Sequence, residues 1–284
     1  MIGGLLIDKP AGPTSHDAVA RVRRVLKERS VGHAGTLDPF ATGLLVVLVG
    51  PATRLARYVE RQHKGYFAEA VLGVVTDTDD GTGTVVRRRD PALPLPSEEE
   101  IRGALATLVG RYAQRPPAYS ARRVGGERAY RLARRGEAVE LPATEVTVLA
   151  LDFAGWSPPV LRFRAVVSAG TYVRALARDL GDRLGVGAHL SGLRREWIGP
   201  LRVEDARPLE TITADTALVP ALDLVAHLPR VAVDAAELAA IRHGRLVPRA
   251  EAAGEVALVS EGRLVAVAEA VPAGWQPRVV LEAA

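Results

Sequence analysis

The stretch GHAGTLDPFATG at residues 32–43 is the most informative part of the chain. Three glycines and one proline in twelve residues disfavour a continuing helix or strand and predict a tight, shaped loop. An uninterrupted apolar run follows at residues 44–49 and predicts a buried strand. The loop therefore presents one carboxylate, Asp38, from a rigid support, and Pro39 biases that residue toward an extended backbone. An isolated Asp-Pro pair usually marks a simple turn, whereas a polar loop on a core strand is typical of functional sites.

The composition is that of a globular protein with a hydrophobic core. The chain has 284 residues, of which 48% are hydrophobic and 25% are charged, as is usual for such proteins. It contains no cysteine, which excludes disulfides, zinc–thiolate sites and a thiolate nucleophile. The first residues lack a basic segment, and Asp8 and Lys9 interrupt the first apolar run. We therefore expect no signal peptide, no membrane span and a cytoplasmic location.

Positive charge is concentrated in one segment. Between residues 114 and 140, seven arginines accompany three glutamates, and this excess of four equals the net charge of the whole chain. Such a segment indicates either a surface that binds a polyanion or a solvated helix face, and the charge alone leaves both open. Gly125 and Gly126 lie within the segment and are a plausible hinge.

Periodicity and capping signals predict the elements around the loop. Thr14 or Ser15 is a helix N-cap, and Ser97 with Glu100 forms a capping box. After about residue 226 the pattern changes to short strands separated by glycine turns. The predicted strands are at residues 2–7, 44–49, 64–73, 146–153, 161–169, 230–233, 255–259 and 263–267, and the predicted helices are at residues 14–27, 52–60, 97–109 and 174–181.

The carboxylate-rich stretch TDTDDGTG at residues 76–83 could be either a metal-binding loop or a turn. An EF-hand places a third oxygen ligand where Gly81 stands and a distal glutamate that is missing here. We therefore interpret the stretch as a hairpin turn. The chain also shows no P-loop and no convincing dinucleotide-binding loop, and we expect neither a cofactor nor a metal.

Taken together, these motifs resemble those of the TruB family of tRNA pseudouridine synthases. Residues 32–43 meet every fixed position of the family pattern G-H-A-G-T-L-D-P-x-A-T-G. The resemblance spans roughly residues 2–200. Its other motifs are DKPAGPTSH at residues 8–16, KGY at 64–66, LGVVTDTDD at 72–80, GTYVRALARDLG at 170–181 and GAHLSGLRR at 187–195.

The resemblance implies roles for individual residues. Asp38 would be the catalytic aspartate, paired with Arg174, and Tyr66 would stack on the target base and could accept a proton. The implied substrate-binding residues are His33, Tyr172, Leu193, Lys9 and Lys64, and Asp80 would help to position the catalytic loop.

The residues themselves leave three alternatives open. A tyrosine in a strand, as at Tyr66, is often a core aromatic. Lys9 could contact a phosphate or stabilise its own loop. An arginine at a helix start, as at Arg174, could lie on the surface, although the helix dipole disfavours a cation there. A buried carboxylate partner would explain why an arginine is present there. If that partner is Asp38, the positive charge of Arg174 would keep the Asp38 carboxyl ionised.

The resemblance also implies a fold and a domain organisation. We expect an α+β pseudouridine-synthase fold with a mixed, mostly antiparallel central sheet flanked by helices and loops. The catalytic domain would span residues 1–226, with a basic, thumb-like insertion at about residues 114–141 that closes over RNA. A small β-rich domain at residues 227–284, similar to an RNA-binding PUA domain, would follow.

The implied activity is isomerisation of uridine to pseudouridine at position 55 in the T loop of tRNA, by a monomer that uses no cofactor. Attack by Asp38 on C1′ of the ribose, attack on C6 of the base, and a glycal route all remain open. Two alternatives are a tRNA-folding chaperone that does not need catalysis and an RNA-guided rRNA pseudouridine synthase subunit. The chaperone would not need Asp38 and Arg174, whereas the guided subunit would be expected to carry a longer PUA domain and partner-binding extensions.

Overall fold

The computed structural model describes residues 1–92, 94–120, 122–124, 126–135, 137, 141–248 and 253–281. The chain forms two compact units, Met1–Gln62 with Trp197–Ala284, and His63–Glu196. No helix in the described residues is long and apolar enough to cross a membrane.

Strands and helices are interspersed along the whole chain. The first elements are β1 (Gly3–Lys9), α1 (Ser15–Leu26), β2 (Val31–Ala34), β3 (Thr42–Val49) and α2 (Ala56–Glu60). Next come β4 (Lys64–Leu72), β5 (Val74–Thr76), β6 (Val85–Arg88), α3 (Glu98–Thr107), β7 (Gly110–Gln114), β8 (Arg123–Val124), β9 (Glu127–Arg128), α4 (Ala129–Arg134), β10 (Thr144–Ser157), β11 (Val160–Val167), α5 (Val173–Arg183) and β12 (Ala188–Ile198). The last elements are β13 (Leu201–Arg202), β14 (Arg207–Pro208), α6 (Ala221–Leu224), β15 (Arg230–Ala232), α7 (Ala235–Arg242), β16 (Val247–Pro248), β17 (Glu255–Ser260), β18 (Arg263–Val271) and β19 (Gly274–Val280).

Strand β3 is the buried centre of the first unit. It pairs antiparallel with β1 on one edge and with β2 on the other, and β14 joins β1 in parallel. Every side chain at residues 44–49 is buried, because the strand has a neighbour on each edge and a hydrophobic cluster around it. The β1–β3 register ends with Lys9 opposite Gly43. The end of β1 therefore lies beside the point where the aspartate loop enters β3.

A five-stranded sheet in the order β15-β17-β18-β19-β16 lies in the same unit. It encloses a cluster that includes Ile241 of α7 and Trp275 of β19. Its other face shares a second hydrophobic cluster with the first strands, in which Leu264 and Val267 join Leu44. The predicted C-terminal β-rich segment is therefore present, whereas the domain boundary at residue 226 stays a prediction.

The second unit is built on a sheet in the order β12-β4-β11-β10-β7. Strands β4, β11, β10 and β7 pair antiparallel in succession. Helix α3 covers β10, where the guanidinium of Arg102 lies 3.9 Å from the ring centroid of Phe153. Helix α5 carries Arg174 and Arg178 and packs its buried residues, among them Leu176 and Leu180, inward. The predicted α+β class with a mixed, mostly antiparallel sheet is confirmed.

Several predicted boundaries differ from the structure by a few residues, and two predicted elements differ in kind. The stretch 32–43 is a loop only in its middle, because Gly32 belongs to β2 and Thr42 begins β3. Glycine has the same backbone donor and acceptor as other residues and can pair in a strand, as Gly32 and Gly43 do, so the abundance of glycine did not fix the loop ends. The helix predicted at residues 52–60 is a 3-10 turn, Gly50–Leu55, followed by the short α2.

Candidate active site

The loop that carries Asp38 is fixed on its N-terminal side by Ser15. The Ser15 hydroxyl, buried at the start of α1, accepts a hydrogen bond from the Leu37 amide at 3.0 Å and lies 3.2 Å from the Leu37 carbonyl oxygen. Asp38 itself is half-buried, and its carbonyl accepts a hydrogen bond from the Ala41 amide at 3.1 Å. The residue before the aspartate is therefore tied to a capped helix.

Lys9 fixes the other side of the same loop. Its side chain is 0% exposed. Its ammonium donates to the carbonyl oxygens of Pro10 at 2.8 Å, Pro13 at 2.9 Å and Pro39 at 3.3 Å, and the Gly12 amide also donates to Pro39 at 2.8 Å. These contacts support the loop-stabilising alternative for Lys9, and a phosphate contact stays a prediction.

His33 lies on β2 and meets a second histidine. Its ring is half-buried, and the ring of His16, exposed on the first turn of α1, stands 5.4 Å away between centroids at an interplanar angle of 79°. This edge-to-face contact is a favourable arrangement for two aromatic rings. One side of the His33 ring therefore lies near the exposed ring of His16. The contact of His33 with a nucleotide stays a prediction.

In the second unit, Arg174 is a buried guanidinium. Its side chain is 4% exposed, so the surface alternative is wrong. Its Nη1 donates to the Thr78 carbonyl at 2.7 Å and lies 3.3 Å from Oδ2 of Asp80, and its Nη2 donates to the Tyr119 carbonyl at 2.9 Å. Asp80 is therefore a carboxylate partner of Arg174, and the pairing of Arg174 with Asp38 stays a prediction.

Asp80 also organises the hairpin between β5 and β6. Its Oδ1 accepts hydrogen bonds from the Thr78 hydroxyl at 2.9 Å and from the amide and hydroxyl of Thr82 at 2.9 and 2.6 Å. The hairpin turn predicted for residues 76–83 is confirmed by the antiparallel pairing of β5 with β6. One oxygen of Asp80 thus shapes the turn while the other faces Arg174.

Arg178, one helical turn after Arg174, joins two carboxylates. Its Nη1 donates to Oδ2 of Asp79 at 2.9 Å, its Nε and Nη2 donate to Oδ1 of Asp179 at 3.0 and 2.9 Å, and its Nη2 donates to the Arg115 carbonyl at 2.7 Å. Neither Arg178 nor Asp79 was predicted from the sequence as part of the site. Both residues stand inside motifs already quoted, at residues 72–80 and 170–181, and Arg178 follows Arg174 at the i, i+4 spacing of one helix face. These were the signals that could have identified them.

The charges of this cluster are unequal in number, and the pKa values reflect it. The pKa of Asp79 is raised to about 6, chiefly by burial and also by the charge of Asp179, against the opposing attraction of Arg178 and Arg174. Burial disfavours the charge on Arg178, but the carboxylates of Asp79 and Asp179 outweigh burial and raise the pKa of Arg178. Two neighbouring carboxylates therefore favour the charged form of Arg178, whereas for Asp79 the effect of burial outweighs the attraction of its cations.

Gln114 ties the end of β7 to the start of α5. Its Oε1 accepts a hydrogen bond from the Tyr172 amide at 2.8 Å, while its Nε2 donates to the Tyr172 carbonyl at 3.2 Å and to the Tyr112 hydroxyl at 2.7 Å. The Tyr112 hydroxyl in turn donates to Asp179 at 3.2 Å, and burial raises the pKa of Tyr112. The backbone of Tyr172, an implied base-pocket residue, is therefore held in place by a buried amide.

The remaining implied residues lie on the two neighbouring strands β4 and β12. Lys64 and Tyr66 are on β4, and Leu193 is on β12. Tyr66 is 7% exposed, which fits either a core aromatic or a ring with one edge open to a ligand. Lys64 and Leu193 are buried as well. Their contacts with substrate stay predictions.

The basic segment forms a small hairpin, β8 with β9, and the short helix α4. Arg135 bonds both Glu127 and Glu137 at 2.6 Å, so two of the three acidic residues of the segment face one arginine. Arg131 is exposed on α4. The proposed hinge includes Gly125, which lies outside the described residues.

Comparison with solved structures identifies the fold. The chain superposes with a TM-score of 0.76 on a chain of an H/ACA RNP bound to a substrate RNA containing 2'-deoxyuridine, at 25% identity over 98% of this chain and 84% of the other. A Cbf5-Nop10-Gar1 complex gives a TM-score of 0.77 at 26% identity, with coverage of 99% and 85%. The expected fold, that of a pseudouridine synthase with its C-terminal curled sheet, is confirmed.

Sequence similarity then identifies the family. The pattern of the TruB family pseudouridylate synthase N-terminal domain matches residues 23–173. The tRNA pseudouridine synthase B of Xanthomonas euvesicatoria pv. vesicatoria (strain 85-10) is 45% identical over 251 residues, which cover 86% of this chain and 81% of that protein. The tRNA pseudouridine synthase B of Thermobifida fusca (strain YX) is 46% identical over 254 residues, covering 86% of each. The chain belongs to the TruB family of pseudouridylate synthases.

Proposed function

We propose that this chain isomerises uridine to pseudouridine in tRNA, at position 55 of the T loop, with Asp38 as the catalytic residue. The observation that carries the proposal is the 44–46% identity with proteins named tRNA pseudouridine synthase B, over 86% of this chain. The aspartate loop lies within the matched region. We propose further that the protein acts as a monomer in the cytoplasm.

The reaction needs no change of oxidation state. The bond between N1 of the uracil and C1′ of the ribose breaks, and a bond between C5 and C1′ forms after the base turns. C5 loses its hydrogen as a proton to solvent, and N1 takes up a proton, so the atoms balance. A carboxylate aimed at the reacting centre stabilises the charge that develops there. Ser15 and Lys9 hold the backbone on both sides of Asp38, at Leu37 and Pro39, and this anchoring supports such a role for its carboxylate.

Reaching Asp38 requires the target nucleotide to leave its stack. Flipping a base costs a few kcal/mol, and proteins recognise unstacked RNA loops by stacking and by shape. In this proposal Tyr66 and Tyr172 line the base pocket and His33 fills the place that the base vacates. The arginines of the basic segment contact phosphates, which provides affinity rather than choice of sequence.

The RNA-guided alternative has some structural support. The solved structures of similar fold include H/ACA and Cbf5 complexes, but their identity to this chain is only 25–26%. The proteins named tRNA pseudouridine synthase B are 44–46% identical, so a stand-alone tRNA enzyme is the better supported proposal. A chaperone without catalysis leaves the matched aspartate loop unexplained.

The proposal is tested by mapping pseudouridine in tRNA. An unmodified tRNA transcript is incubated with the purified protein, treated with a carbodiimide that marks pseudouridine, and copied by reverse transcriptase. We expect one new stop that corresponds to position 55. A transcript with cytidine at that position is the control. No stop, or stops only elsewhere in the tRNA, would refute the proposed site of action.

A further inference from the structure

Two arginines on the same face of α5 bridge the same two segments of the second unit. Arg174 and Arg178 are separated by four residues, which places their side chains one above the other on the helix. The two segments are the turn at residues 78–80 and the chain at residues 115–119, which is the first part of the basic segment.

Each arginine reaches both segments. Arg174 contacts the turn at Thr78 and Asp80 and contacts the second segment at the Tyr119 carbonyl. Arg178 contacts the turn at Asp79, 2.9 Å away, and the second segment at the Arg115 carbonyl, 2.7 Å away. The guanidinium of Arg178 therefore repeats, one turn further along α5, the bridge that Arg174 makes.

The two bridges have different surroundings. Arg174 pairs with one carboxylate, that of Asp80, whereas Arg178 pairs with two, those of Asp79 and Asp179. The network around Arg178 continues through Asp179 to the Tyr112 hydroxyl and from there to Gln114, which holds the Tyr172 backbone. Arg178 is thus bonded to groups that surround Arg174 and Tyr172. It is not itself one of the site residues that the resemblance implies.

We propose that Arg178 is a positioning residue that keeps the acceptors of Arg174 in place. By holding the turn and the segment that leads to the basic hairpin, Arg178 fixes the Thr78 and Tyr119 carbonyls between which the Arg174 guanidinium lies. Contacts of the basic segment with RNA would then act on Arg174 through this shared support. The inference rests on the proposed function, in which Arg174 serves catalysis.

A purely stabilising ion pair would have a different signature. A stabilising pair changes the free energy of unfolding and leaves the chemistry of the folded protein intact. A positioning residue changes the rate of the chemical step without changing tRNA affinity, since small displacements of catalytic groups are costly, up to about 100-fold in rate for about 1 Å. Measuring the single-turnover rate and the tRNA affinity separately therefore distinguishes a positioning residue from a stabilising ion pair.

The test uses the full chain and tRNA labelled with tritium at C5 of uridine. Formation of the C5–C1′ bond displaces this hydrogen into water, so its release measures turnover. Single-turnover rates and tRNA affinities are compared for Arg178→Met, Arg178→Lys and the double variant Asp79→Asn/Arg178→Met. The double variant also neutralises Asp79, the more buried of the two carboxylates that Arg178 faces, while Asp179 keeps the hydrogen bond from the Tyr112 hydroxyl. This keeps the test valid if Arg178→Met does not fold. Arg183→Met is the control, because Arg183 is exposed on the same helix and bonds Thr107 instead.

We expect the Met variants to lose about 10- to 100-fold in single-turnover rate with affinities for tRNA within about threefold of the wild type, since phosphate contacts dominate affinity. Arg178→Lys should lose most of the rate as well, because an ammonium cannot reproduce the planar fork of donors. The control should match the wild type in both. A folded double variant at the wild-type rate would overturn the proposal, and so would an affinity loss as large as the rate loss.

Hydrogen exchange tests the positioning without any reaction. We expect Arg178→Met to speed exchange of the amides at residues 118–120 and Arg183→Met to leave it unchanged. If the wild type releases no tritium, the proposed function fails on its own. Unchanged exchange at residues 118–120 in Arg178→Met would then still overturn the positioning role.

Discussion

At the scale of single residues, cations in both units shape the backbone around the implied site. Lys9, Arg174 and Arg178 each donate to at least one carbonyl oxygen of another segment. A buried cation is costly unless its donors are satisfied, so each of these side chains fixes the carbonyls that satisfy it. The backbone of the loop and of the turn is therefore held in place by the hydrogen bonds of these cationic side chains.

Replacing Lys9 should loosen the aspartate loop. Lys9→Met leaves the carbonyls of Pro10, Pro13 and Pro39 without their common donor, and an unsatisfied buried polar group costs about 1–3 kcal/mol. We expect a loss of that order in the free energy of urea-induced unfolding, together with a lower single-turnover rate. Lys27→Met, at an exposed position, should change neither. Wild-type stability and rate in Lys9→Met would contradict the anchoring role.

Asp79 should make stability depend on pH in an identifiable direction. Its pKa is raised from 3.8 to about 6 in the folded protein, so between these values the folded state binds a proton more tightly than the unfolded state. The contribution of Asp79 to stability is therefore present below pH 4 and is lost as the pH rises toward 6 and above. A shift of this size corresponds to roughly 3 kcal/mol.

Asp79→Asn removes this titration. The stability of the variant relative to the wild type should therefore increase between about pH 4 and pH 7, as measured by urea unfolding at each pH. A difference between variant and wild type that does not change with pH would show that Asp79 does not titrate in this range.

The motifs quoted from the sequence contain Asp79 and Arg178 as well as the implied site residues, but the motifs do not show which of their residues bond to one another. Asp38, Arg174 and Tyr172 stand in motifs that resemble a family. Asp79 and Arg178 are 99 positions apart, and no local pattern indicates that a long-range ion pair joins them. The burial of Lys9 was also unpredictable, because a lysine beside prolines usually reaches solvent.

At the scale of elements, the capped helices are the best predicted. Thr14 caps α1 and Ser97 caps α3, each with a reciprocal bond from the residue three positions on. These signals are local, so the sequence alone reveals them. The ends of β2 and β3 were not predictable in this way, because their pairing is decided by partners elsewhere in the chain. The same holds for the two-residue strand β16, which is defined by its pairing with β19. Helix α7 does carry a capping box, Asp234 with Glu237, and this local signal could have revealed it.

Two helical glycines should respond oppositely to the same substitution. A Cβ on Gly181 of α5 would lie 2.3 Å from the Ala188 amide nitrogen, whereas a Cβ on Gly103 of α3 would meet nothing within 4 Å. Gly181→Ala should therefore destabilise the protein by about 1–3 kcal/mol through overpacking. Gly103→Ala should stabilise it by up to about 1 kcal/mol, because alanine has the higher helix propensity.

Thermal or urea unfolding of the two glycine variants checks this pair directly. Equal effects of the two substitutions, in either direction, would show that the close approach of α5 to the start of β12 does not constrain position 181.

At the scale of the whole molecule, charge is distributed for a polyanionic ligand. The net charge is +4, and the excess sits in the segment at residues 114–140, where two glutamates share the single guanidinium of Arg135. The other arginines of the segment dominate its field. Such a distribution favours association with RNA and makes it sensitive to salt.

Arg131, exposed on α4, is expected to contact a phosphate. Arg131→Gln should weaken binding to tRNA and to an unrelated RNA about equally, and should reduce the slope of log affinity against log salt by about 1. Filter binding at several salt concentrations measures both. Arg102→Gln serves as the control, since Arg102 is already paired with Glu98. A loss confined to one RNA sequence would contradict phosphate contact.

The proposed catalysis depends on one carboxylate, and Asp38→Asn tests that dependence most directly. Tritium release from tRNA labelled at C5 of uridine is measured for this variant beside Asp215→Asn, an exposed aspartate of the same unit. We expect the Asp38 variant to release no tritium while it binds tRNA within about tenfold of the wild type, because phosphate contacts dominate affinity. The Asp215 variant should behave as the wild type. Sustained release by Asp38→Asn would contradict the central claim.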